Sequence, residues 1–254
     1  MNAIVQDTRN ATVQDTQTAT SPMRLARIAG VLYLIVGIFA GFSYDYATGK
    51  VYVRGDAAAT AQRVMSHAGL VRVGVVADLV QATAWVFVAM VFYLLLRHVS
   101  ENWARAMVIL VAVGAAIVCL SEVFPVAALR VATEHSYVTA LGAAGSNALA
   151  LLLLDIHHYG LLIAQIFFGL WLVPLGYLAY KSGMFPKALG VLLVVGGACY
   201  LVGLLAVLLG PASGEAVNTF ITLASAVAEV WMVGYLLAVG VRSSPSADRA
   251  PVAV

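Results

Sequence analysis

The chain has 254 residues, 62% hydrophobic and 10% charged, with 14 Lys and Arg against 12 Asp and Glu for a formal net charge of +2. Soluble domains carry about 25% charged residues, so the composition excludes a water-soluble globular protein, and the net charge is too small to argue for a nucleic-acid partner. The expected class is all-α, a polytopic membrane protein whose chemistry must take place among its helices or at their ends.

Residues 1–23 are polar and repeat Val-Gln-Asp-Thr at 5–8 and 13–16. Too little apolar surface is available there to offset ordering, so a disordered cytoplasmic tail is expected. Arg24 and Arg27 precede the first apolar run, 28–44, and hold the N-terminus inside. Gly37 and Gly41 in that run have the spacing that admits a close neighbouring helix. Residues 45–72 form an outer connection, where Asp56 is placed to cap a short helix on the membrane surface.

The second span, 73–96, leaves the membrane at Arg97, His98 and Arg105. The third, 106–129, contains Pro125, which frees the carbonyl of Ser121 and bends the helix. Residues 130–158 return outside. The stretch from 148 to 180 is too long for one simple crossing, so either the fourth helix projects beyond the bilayer or a short interfacial helix breaks at 155–158.

The fourth and fifth spans, 159–180 and 187–209, are each close to the roughly 20 helical residues that cross about 30 Å of hydrocarbon. They flank a short polar interruption, 181–187, and so form a transmembrane hairpin. Gly183 is placed to end the first helix in the left-handed region and Pro186 to open the second, while Lys181 and Lys187 mark the turn as cytoplasmic. The sixth span is 218–240, and a second disordered tail follows at 242–254. On this six-span thread, nine of the fourteen Lys and Arg residues are cytoplasmic and five are not. Both termini are therefore expected inside.

Several blocks resemble one bacterial membrane family. They are Arg-Ile-Ala-Gly-Val-Leu-Tyr-Leu-Ile-Val-Gly at 27–37, Gly-Asp-Ala-Ala-Ala-Thr-Ala at 55–61, Leu-Val-Arg-Val-Gly-Val-Val-Ala-Asp-Leu at 70–79, and the hairpin 165–203. The family is the one known as domain of unknown function 4386, and the likeness runs from about residue 24 to 240. By that resemblance Arg72, Asp78, Gly169, Gly176, Ser182, Gly183, Pro186 and Gly190 match the family pattern. It implies a multi-pass protein of the bacterial cytoplasmic membrane and brings no activity, cofactor or substrate with it.

A carboxylate at membrane depth costs about 2.5–3.5 kcal/mol, so each needs a partner or water. Asp78, Glu122 and Glu229 fall within spans. Gln81 shares the face of Asp78. On the sixth span Asn218, Thr222, Ser225 and Glu229 draw a polar stripe about 16 Å long at 1.5 Å per residue. Asp155, His158 and Gln165 form a shorter counterpart on the fourth. These residues are expected to meet in the outer half of the bundle, either as a hydrated functional cavity or as hydrogen bonds that join the helices. Arg72 is the expected counter-charge for Glu122 or Glu229, with snorkelling to the headgroups as its other reading. His157 and His158 beside Asp155 or Glu122 bring metal-donor chemistry, but adjacent histidines point about 100° apart on a helix. No metal and no cofactor is expected.

The leading expectation is a non-enzymatic protein that binds a small ligand or a protein partner through this polar seam, with the lipid bilayer as its surroundings. A proton- or ion-coupled permease using Glu229 is the competing class. A metal-dependent membrane enzyme stands third, because the chain lacks the nucleophile-elbow, zincin, phosphate-loop and paired-cysteine motifs.

Overall fold

The computed structural model describes residues 21–210 and 213–242. The remainder of both expected tails lies outside the described residues. Among the described residues there is no strand, and six helical segments are long and apolar enough to cross a membrane.

Helix α1 (Pro22–Ala40) starts earlier than composition suggests, so that Pro22 and Met23 belong to it rather than to the tail. Ser21 caps it, its hydroxyl accepting from Arg24 N at 3.3 Å, and Pro22 fills a first-turn position that needs no N–H. The helix continues without interruption into a π-helical segment (Gly41–Thr48) and a last turn (Gly49–Val51). Gly37 is not a helix contact, contrary to its spacing with Gly41: a Cβ placed there would meet nothing within 4 Å.

The short helix α2 (Ala57–Ser66) is capped by Asp56, whose Oδ1 accepts from Ala59 N at 2.9 Å. Helix α3 (Ala68–Leu96) follows, then α4 (Glu101–Ser121) and α5 (Val123–Thr133), which are separated at Glu122. Helix α6 (His135–Ser182) is the longest. It runs unbroken through 155–158 and is interrupted instead at Gly142, where φ is +71°. The fourth span therefore projects as a continuous helix, and no interfacial helix breaks off at the histidine pair. Helices α7 (Lys187–Leu209) and α8 (Gly214–Ala238) complete the chain.

The α6–α7 hairpin owes its closeness to glycine. A Cβ on Gly176 would lie 2.5 Å from the Gly190 carbonyl, and one on Gly190 would lie 2.8 Å from the Gly176 carbonyl. The backbones touch where side chains would hold them apart. Gly183, at φ +69°, turns the chain between them.

Neighbour follows neighbour around a closed ring: α1 packs on α3, α3 on α4, α4 on α6, α6 on α7, α7 on α8, and α8 back on α1. The ring encloses a core in which Tyr33, Phe92, Trp85 and Trp171 meet edge to face at 5.5–6.4 Å. At the end opposite the 181–187 turn, a second apolar cluster including Val51, Val64, Val71, Leu129, Ala150 and Leu154 joins the end of α1 to α2, α3, α5 and α6. It forms a cap over the ring.

Candidate functional site

Beneath that cap four elements bring polar side chains together. The π-helical segment buries Ser43 and Ala47 against α3 at Gly74, where a Cβ would lie 3.1 Å from that of Ala47. Such π-helical insertions in α-helices are frequent at functional sites. The Ser43 hydroxyl donates to Asp78 Oδ2, and the Gly74 carbonyl lies 3.1 Å from the same hydroxyl oxygen. Glu122 stands at the α4–α5 junction with its side chain turned inward. His157, on α6, places Nε2 2.9 Å from Glu122 Oε1, and each of these two side chains is only 4% exposed.

One ligand atom from each of Asp78, Glu122 and His157 lies within 4.8 Å of the other two. They line a cavity of about 20 Å³ together with Ser43, Gly74, Pro125 and apolar residues of the cap. A space of that size holds one water-sized guest. Among the described residues the only basic side chain within ion-pair distance of these carboxylates is the imidazole of His157, and no Lys or Arg takes part. Two neighbouring carboxylates away from water repel one another and favour either shared protons or a bound cation.

The other residues expected in a single seam do not converge here. Asp155 accepts from the Tyr52 hydroxyl at 2.5 Å, at the capped end of the molecule. Burial, then the hydrogen bond to Asp155, pushes the Tyr52 phenol up to about 12. His158 Nε2 lies 3.1 Å from both Arg54 Nη2 and Glu215 Oε1, so it accepts from the first or donates to the second according to tautomer. Arg54 and Glu215 also form an ion pair, and although partial burial opposes its charge, Tyr52 and Glu215 hold the Arg54 guanidinium above its usual range.

Glu229 belongs to a separate group, its carboxylate accepting from Tyr33 at 2.6 Å and from Tyr200 at 3.0 Å. The rest of the α8 stripe turns to backbone. Thr222 donates to the Asn218 carbonyl at 2.7 Å, and Ser225 donates to the Gly196 carbonyl on α7 at 2.7 Å. Gln165 Oε1 and Asn218 Oδ1 are buried without a hydrogen-bond partner, while Gln81 is buried on α3 and does not line the cavity. Arg72 is exposed and has no ion pair among the described residues, so it is not the counter-charge that its position suggests. The six-residue step between them rotates Arg72 about 240° around α3 from Asp78, so Arg72 faces outward while Asp78 faces in.

Ser43 is the member of the cluster that sequence reading misses, and His157 appears there only as a neighbour of His158. A local signal exists for Ser43: it is a polar residue inside a run otherwise apolar enough to span. Nothing in the sequence announces the π turn that aims it.

The fold and the polar groups within it are those of a multi-pass helical membrane protein, with lipid as its surroundings. A family model, domain of unknown function (DUF4386), matches residues 28–240, and the chain belongs to that family. No curated protein and no solved structure matches it.

Proposed function

We propose that the protein binds a single small cation at the Asp78–Glu122–His157 centre. The observation that carries this reading is the convergence of two carboxylates and an imidazole from different helices on a cavity of about 20 Å³, with no Lys or Arg to neutralise them. The cavity is too small for an organic ligand and matches one ion or one water. Glu229 makes a weaker centre for ion-coupled transport, because Tyr33 and Tyr200 already occupy its oxygens. That arrangement favours a strut between helices.

The orientation belongs to the same proposal. Lys181 and Lys187 lie at the turn opposite the cap, and the excess of Lys and Arg at that end supports a cytoplasmic membrane location with both termini inside. The cation centre then faces the extracytoplasmic side.

The test is thermal unfolding of the purified protein in detergent, titrated with monovalent and divalent cations. A bound cation raises the melting temperature with its concentration, and the gain is expected to disappear in Asp78→Asn and Glu122→Gln. Indifference to every cation would overturn the reading.

A further inference from the structure

Resting on that reading, we propose that the cation is a transition-metal dication of the zinc class, bound by His157 Nε2, one oxygen of Glu122 and one of Asp78, with a fourth position open to the cavity. Charge is the first argument. Once a metal has displaced their protons, two carboxylates and a neutral imidazole sum to −2, which a dication cancels inside the apolar surroundings and a monovalent ion does not.

Donor type is the second. Imidazole suits zinc, copper, iron and nickel, whereas carboxylate and carbonyl sets suit magnesium, calcium and manganese. Calcium takes 6–8 oxygens and magnesium keeps several waters. A cavity of about 20 Å³ has no room for such a shell. Zinc instead accepts three protein donors and one further ligand.

Geometry is the third. Ligand atoms about 2.0–2.2 Å from a tetrahedral zinc stand roughly 3.3–3.6 Å apart. The Glu122–His157 pair is at 2.9 Å, and the whole set lies within 4.8 Å, so side-chain adjustment of about an ångström closes it. Ser43 completes the arrangement. By donating to Asp78 Oδ2 it leaves the other oxygen of that carboxylate for the metal, the part that outer hydrogen bonds play around metal ligands.

The test uses full-length protein with its affinity tag removed, stripped with a chelator and reloaded separately with Zn(II), Co(II), Ca(II), Mg(II) or Na(I). Retained metal is measured after desalting. Zn(II) and Co(II) are expected to remain at one per chain, with the visible absorption of four-coordinate cobalt, and Ca(II), Mg(II) and Na(I) to wash out. This measurement needs no variant.

His157→Ala is expected to lower cobalt affinity more than a hundredfold, and Ser43→Ala by about 10–100-fold, the usual cost of losing a partner behind the ligands. His158→Gln, in the neighbouring Arg54–Glu215 group, leaves binding unchanged. Retention of calcium or sodium but not of zinc or cobalt overturns the inference and leaves cation binding standing. Binding of no cation overturns both. Cobalt binding that survives His157→Ala in folded protein places the metal elsewhere and also overturns the inference.

Discussion

The Tyr33 hydroxyl donates to Glu229 at 2.6 Å, joining the first long helix to the last across 196 residues of sequence. With Tyr200 on the other oxygen, this carboxylate ties α1, α7 and α8 together and helps close the ring. Removing either phenol leaves an acceptor unpaired. Tyr33→Phe is expected to destabilise the protein by about 1 kcal/mol, between the small average worth of a hydrogen bond within a membrane and the cost of a stranded polar atom. Glu229→Gln, which still accepts from one tyrosine, is expected to cost less. Unfolding in detergent compares them, and a Glu229→Gln protein that folds but loses coupled solute flux would restore the permease.

The glycine contact between α6 and α7 yields a sharper contrast. Gly176→Ala drives a methyl group into the Gly190 carbonyl, while Gly37→Ala enters open space. The first is expected to cost about 1–3 kcal/mol, and the second to leave the melting temperature within error or raise it slightly, since alanine is the better helix former. Equal effects would remove the hairpin contact from its place in the fold.

Alkaline pH is expected to loosen the cap. The Tyr52 phenol ionises at about 12 in the folded protein against about 10 in an unfolded chain. Its contribution is therefore complete below pH 10 and is lost as pH rises through that interval. A spectroscopic titration of tyrosinate should show a late-ionising component that Tyr52→Phe reduces by one group, and the variant should lose that share of the alkaline destabilisation.

The orientation is open to direct labelling. In a Cys119→Ala, Cys199→Ala background, Arg63→Cys, at an exposed position of α2, is expected to react with a membrane-impermeant thiol reagent in intact cells, and Lys187→Cys only after lysis. The reverse pattern would turn the bundle over and place the cation centre near the cytoplasm.

Arg72→Ala is expected to leave both cation binding and stability unchanged within about 0.5 kcal/mol, the usual range for surface substitutions. Arg54→Ala removes an ion pair whose side chains are 44% and 39% exposed, and should cost under about 1 kcal/mol, less at high salt. A large loss of cation binding in Arg72→Ala would return that residue to the site.

Span count, hairpin and the positions of the buried carboxylates are legible in the sequence because each rests on local signals. Hydropathy over about 20 residues, a glycine that permits positive φ and a proline that opens a helix act within a few residues of where they are written. The hydrophobic runs of α6 and α7 needed no partner to be recognised. Pairing is a different matter. Asp78, Glu122 and Glu229 look equivalent in the sequence, each a carboxylate in an apolar helix, yet two converge with His157 under the cap and the third goes to tyrosines. That division depends on how each helix rotates about its axis and on the π turn at Gly41–Thr48 that turns Ser43 inward. Rotation is set by packing across the ring, through contacts between residues far apart in the chain, and therefore only the tertiary structure decides it.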